Sequence, residues 1–121
     1  MKKIDSPTSN YLPELCEKLA DHAVQLDTSA ENWPREQLQL CGEYGVFAWF
    51  LDQDRGGVGW TPNQIVDGYL ALSSACLSTT FVITQRVGAC RRIAGSANPY
   101  PREQILAELI AGDLFATVGI S

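Results

Sequence analysis

Apolar residues at Leu12, Leu15, Cys16, Leu19, Ala23 and Leu26 recur every three or four positions. That spacing puts them on one face of an amphipathic helix, opened by Ser9/Asn10 and carrying Pro13 in its first turn. The polar stretch DTSAEN follows, and Trp33-Pro34 then starts a shorter helix through Leu38, Leu40 and Cys41. Gly42 or Gly45 is expected to end it, because glycine accepts the left-handed backbone of a helix terminus. The segment GVFAWFLD is apolar on both faces and is expected to be a buried connection. Thr61-Pro62-Asn63-Gln64 combines a capping threonine, a proline at the first helical position and a T-x-x-Q box. The third helix this opens has Ile65, Tyr69, Leu72 and Cys76 as its buried stripe. Its small residues Ala71, Ser73, Ser74 and Ala75 would let a neighbouring helix come close.

A fourth helix is predicted from near Ser78 through Phe81, Val82, Val87 and Ile93 to Gly95. After the loop SANPYP a fifth begins with Pro101 in its first turn. Its apolar face is Ile105, Leu106, Leu109 and Ile110, and Gly112 stops it. The pattern predicts an all-α bundle of five to six helices over residues 1–112. The closing run DLFATVGIS departs from helical spacing. Phe115, Thr117 and Val118 favour extended backbone, so residues 114–120 are predicted to form a β-strand. A single strand leaves its amide groups without partners. Residues 113–121 are therefore expected to be the start of a truncated β-domain.

Composition narrows the possibilities. A chain of 121 residues, 45% apolar and 19% charged, fits one globular domain with a real core. Its longest apolar run, Val46 to Leu51, falls far short of the roughly 20 residues of a membrane helix. No apolar segment follows the lysines of MKKIDSPTSN, so no secretory signal is visible and a soluble, cytoplasmic protein is expected. A net charge of −5 argues against nucleic acid as a partner, since that affinity rests on neutralising phosphates. Arg86, Arg91 and Arg92 lie close together and are expected on a solvated helix face near a C-terminal dipole. Cys16, Cys41, Cys76 and Cys90 form no CxxC pair and suit buried thiols. With His22 as the lone histidine, no metal site is expected.

Gly56, Gly57 and Gly59 raise the possibility of a phosphate cradle. A dinucleotide fingerprint needs a third glycine and a preceding strand, and a P-loop needs Gly-Lys-Ser/Thr. Neither pattern is present, so the cluster reads as a sharp corner ahead of a well-capped helix.

The order of these pieces resembles the N-terminal part of the acyl-CoA dehydrogenase family. A helix bearing LQLCGEYGVFAWF is followed by DQDRGGVGWTP, a capped helix and a second long helix. A helix ending ILAELIAGD and the segment LFATVGIS complete the likeness, which covers roughly residues 33 to 121. The resemblance implies a parent flavoprotein that holds FAD between a middle β-domain and a C-terminal helical bundle. It implies an acyl-CoA substrate, whose Cα–Cβ bond is oxidised by proton abstraction and hydride transfer to flavin. The family's first strand typically ends aromatic-x-Leu/Val-Thr-Glu against the flavin ring, and Val118, Gly119, Ile120 and Ser121 match those positions. Ser121 keeps a hydroxyl where the family has threonine, Val118 replaces the aromatic, and the glutamate position lies past the end. By position on the fourth helix, the resemblance makes Phe81, Val82, Ile83 and Gln85 candidates for the acyl pocket. As bare sequence, apolar residues at that spacing are more often core. The resemblance would also let Arg86, Arg91 and Arg92 meet CoA phosphates, with the solvated helix face as the favoured reading.

The family's catalytic carboxylate comes from its C-terminal region, so the chain by itself is expected to be inactive and no catalytic residue is assigned. Family members are usually tetramers through contacts mainly outside this region, so a homo-oligomer is one expectation. Two further readings stay open. The departures in LFATVGIS leave room for a flavin monooxygenase of the same fold. A self-standing helical module that pairs with a partner through an open strand is the other.

Overall fold

The computed structural model describes residues 2–28, 30 and 33–117. Six α-helices follow in order: α1 Tyr11–Thr28, α2 Arg35–Glu43, α3 Pro62–Ala75, α4 Leu77–Ala94, α5 Pro99–Gln104 and α6 Leu106–Ala111. Two single turns of tighter helix, Val46–Ala48 and Gln53–Arg55, lie between α2 and α3. The described residues contain no strand, so the domain is all-α as the periodicity implied.

Each boundary has a local cause. Ser9 Oγ accepts from the Tyr11 N–H at 3.3 Å and covers one of the free donors at the start of α1. The capping box at α3 is complete: Gln64 N–H donates to Thr61 Oγ1 at 3.3 Å, and Thr61 N–H to Gln64 Oε1 at 2.9 Å. Only Cys76 separates α3 from α4, and its extended backbone (φ −156°, ψ 99°) turns the chain in one residue. Asn98 Oδ1 caps α5 through the Tyr100 N–H at 3.1 Å. The single fifth helix expected from the sequence is two, broken at Ile105 (φ −115°, ψ −36°). Pro99 and Pro101 bring no N–H to the ladder, so α5 is a weak segment and the helix restarts at Leu106.

The main core gathers Leu15 and Leu19 of α1, Leu38 and Cys41 of α2, Leu72 of α3 and Ile83 of α4. At its centre Trp49 and Trp60 stack with centroids 4.3 Å apart and planes 17° from parallel. Each indole also finds a carbonyl. Trp49 Nε1–H donates to Ile4 O at 3.0 Å, and Trp60 Nε1–H to Asp5 O at 2.8 Å. Ile4 N–H donates to Tyr44 O at 2.9 Å, so the N-terminal strap is tied down on three sides and Ile4 is buried. A second, smaller cluster of Leu51, Ala94 and Leu106 seats α6 against the end of α4.

The end of the described chain corrects one expectation. Residues 114–117 are irregular rather than extended in a strand, and residues 118–120 lie outside the described residues. Gly112 takes a left-handed turn (φ 89°), and the N–H groups of Asp113 and Leu114 fold back onto Glu108 O at 2.9 and 3.3 Å. Those donors are thereby satisfied by the helix end instead of a sheet neighbour. Phe115 then sets its ring edge-on to Trp33, with centroids 5.2 Å apart at 87°.

Gly68 is the close-approach position of α3. A Cβ there would lie 2.7 Å from Trp49 Cζ3 and 2.9 Å from Trp60 Cζ3. Overpacking this stack by Gly68→Ala is expected to cost about 2 kcal/mol in urea unfolding. Thr61→Ala, which removes a cap and no core contact, is expected to cost about 1 kcal/mol in the same measurement. Equal stability of Gly68→Ala and wild type would show that the indoles can part without penalty.

Candidate functional site

The glycine corner is fully engaged in holding itself together. Gly56 N–H donates to Gln53 O at 3.2 Å and Gly57 N–H to Asp52 O at 2.9 Å. Val58 N–H donates to Ala48 O at 2.9 Å and Gly59 N–H to Leu51 O at 3.0 Å. A phosphate cradle needs such donors pointing outward and free. None of the four is free, so this segment is a corner. Gly57 is required by crowding, since a Cβ would sit 1.9 Å from Leu51 O. Arg55 Nη1–H reaches back to Ala94 O and fastens the corner to the end of α4.

Two concavities flank α4. One is an apolar groove of about 590 Å³ between the start of α2 and the first turns of α4. Its walls are Trp33, Pro34, Leu77, Ser78, Phe81 and Val82. Leu77 and Phe81 are 69% and 65% exposed, which leaves large apolar side chains in water where a core helix would hide them. Ser78 Oγ–H is held by Asp27 Oδ1 at 2.8 Å across to α1. Of the four acyl-pocket candidates, the structure brings Phe81 and Val82 together in this groove. Ile83 is fully buried in the core, and Gln85 is exposed without lining the groove. Val118, Ile120 and Ser121 lie outside the described residues.

The other concavity, of about 660 Å³, runs between α2, the C-terminal end of α6 and the buried side of α4. Its walls include Trp33, Leu38, Phe47, Leu114 and Phe115, with Arg86 among its lining residues. The three arginines of α4 were expected together on a solvated face, and the structure separates them. Arg92 is exposed, and Arg91 is exposed while donating from Nε to Phe50 O at 3.3 Å. Arg86 is 1% exposed, with its guanidinium carbon 3.7 Å from the centre of the Phe47 ring. The sequence carried a signal for this. Extending Thr79 and Ile83 by helical spacing to Cys90 passes through position 86, so Arg86 lies on the buried stripe.

The cysteines offer no chemistry of their own in this state. Among the described residues no group of histidine, cysteine or carboxylate side chains has the arrangement to hold a metal ion. All four thiols are unpaired. Burial pushes Cys41 up to about 12 from an ordinary 9.0, with the nearby Cys16 and Cys76 adding to the shift. Burial likewise raises Cys16 and Cys90. No helix among the described residues is long and apolar enough to cross a membrane.

These features define an all-helical domain with an internally bonded glycine corner, a short helix pair at its end and an exposed apolar groove on α4. The family model described as acyl-CoA dehydrogenase, N-terminal domain, matches residues 13–113. The chain belongs to the acyl-CoA dehydrogenase family, and the matched region is its N-terminal domain. No curated protein and no solved structure matches it.

The Cys41 shift has a defined sign. A thiol raised on folding stays protonated while the unfolded chain ionises, so it stabilises the fold below pH 9.0 and that contribution fades towards pH about 12. Urea stability is expected to fall over that window, less steeply in Cys41→Ala than in wild type. Native Cys41 is expected to resist iodoacetamide at pH 9.0 and to react on denaturation. Rapid native labelling at Cys41 would contradict its burial.

Proposed function

We propose that this chain is the N-terminal domain of an FAD-dependent acyl-CoA dehydrogenase-like oxidoreductase, and that the α4 groove is its contribution to the acyl pocket. The observation that carries this reading is Phe81 and Leu77 standing exposed beside Trp33 in a domain of this family. An alkyl chain laid in the groove would take that apolar surface out of water, at roughly 25 cal/mol per Å². Phe81 and Val82 form the wall, Ile83 supports it from the core, and Gln85 stands at the far end of the same helical segment.

Flavin supplies the hydride acceptor for oxidation of a Cα–Cβ bond. Phe81 and Val82 fit the role of an apolar wall, and the glycine corner, with no free donor, does not fit that of a pyrophosphate holder. The grip on FAD is accordingly assigned to residues beyond 117, with Val118, Ile120 and Ser121 as the contacts of this chain. In this reading residues 113–121 begin the middle domain. The proton-abstracting carboxylate is contributed from outside this chain, and acyl-CoA is the substrate class.

The test is acyl-CoA-dependent reduction of an artificial electron acceptor by the intact flavin-loaded protein. Phe81→Asp is expected to raise KM for a medium-chain saturated acyl-CoA by about tenfold, roughly 1.4 kcal/mol, because a carboxylate in the groove repels the alkyl chain. Position 81 is exposed, so the circular dichroism and unfolding midpoint should stay at wild-type values. Absence of acyl-CoA turnover in the flavin-loaded full-length protein that carries this domain would end the reading.

A further inference from the structure

The acyl pocket makes no use of Arg86, although among the described residues it is the one charged side chain that is buried. Its Nε and Nη2 atoms are buried and have no hydrogen-bond partner among the described residues. A guanidinium remains protonated in proteins, and leaving its donors unsatisfied away from water is costly. Nε and Nη2 share one edge of the guanidinium plane. That edge is the two-donor fork that matches the two oxygens of a carboxylate side-on.

The surroundings select among anions. The Phe47 ring supports the guanidinium from one face, and Gly112 packs tightly against the edge of that ring, where a Cβ would lie 3.0 Å from Phe47 Cε2. The cleft that Arg86 lines mixes apolar walls, among them Trp33, Leu38, Phe47 and Phe115, with charged ones. Its other charged lining residues are Lys3 and Arg35 against Glu43 and Asp113. With Arg86 the balance is one net positive charge, suited to a monoanion. Lys3 Nζ is turned to Gly42 O at 3.4 Å, and Glu43 Oε1 accepts from Gln39 Nε2 at 3.2 Å, so both are already engaged. A dianionic phosphate would exceed the one net positive charge of the lining.

We propose that this cleft is a receptor for a small carboxylate with an apolar body, seated on the Nε/Nη2 edge of Arg86. Both fork atoms are buried while Arg86 itself lines the cleft, so a ligand reaches them only as the guanidinium turns towards it. That turn sacrifices no hydrogen bond from the fork, since it makes none, and it replaces two unmet donors with two charge-assisted bonds. The apolar body then packs against Trp33, Phe115 and Leu38, which line the same cleft. The inference stands on Arg86 alone and is independent of flavin or acyl-CoA.

The experiment is a titration of the native full-length protein with phenylacetate, phenylacetamide and inorganic phosphate, followed through the arginine Nε–H signals in nitrogen NMR. Phenylacetate should move the Arg86 Nε–H signal saturably, and the amide and phosphate should not. Calorimetric affinity for phenylacetate should fall roughly tenfold or more in Arg86→Lys, which keeps the charge and loses the fork. An unmoved Arg86 signal at high phenylacetate overturns the proposal, as does an Arg86→Lys affinity equal to wild type. A response to phosphate alone overturns the choice of carboxylate. Should Arg86→Lys fail to fold, the wild-type titration decides by itself.

Discussion

The stacked indoles of Trp49 and Trp60 are the contact on which the rest of the bundle depends. They come from opposite ends of the connection between α2 and α3, so their stacking closes that connection into a compact knot. Their N–H groups pin the carbonyls of Ile4 and Asp5, which draws the N-terminal strap across the bundle. Their faces leave no room for a side chain at position 68, which sets how near α3 lies. Hydrophobic area, hydrogen bonding and backbone approach converge on one pair of rings, an economy typical of large aromatic side chains in cores.

The glycine corner shows how the same residues can suggest two chemistries until their donors are followed. Its spacing invites a phosphate, and its hydrogen bonds are already spent on Ala48, Leu51, Asp52 and Gln53. The corner's work is positional. It turns the chain from the buried Trp49 region into the α3 cap, while Arg55 ties it to the far end of α4. Family membership and apolar surface, rather than glycine content, direct attention to α4.

Much of this was legible in the residues. The leucine spacing of α1, the capping box at Thr61 and the stop at Gly112 each act within a few positions along the chain, where local rules govern. The break at Ile105 was hidden because an unbroken apolar pattern spans it. The absence of a strand at 114–117 reflects the opposite problem: β-propensity describes a residue's fit to a sheet, and here the helix end captures the donors first. Phe81 and Ile83 illustrate the limit for the groove. Two positions apart on a helix they face different surroundings, and apolarity alone does not say which one faces the core. Arg86 differs because its charge points to water while its register places it on the buried stripe of Thr79, Ile83 and Cys90.

The joint between α3 and α4 bears on the shape of the groove. With Cys76 as the sole connecting residue, itself buried and hydrogen-bonded to Thr79, the end of α3 and the start of α4 are held close together. The opposite lip of the groove is Trp33, which stands half exposed ahead of α2 and touches the ring of Phe115. Because Trp33 also lines the cleft beside Arg86, the two concavities are divided by a single indole.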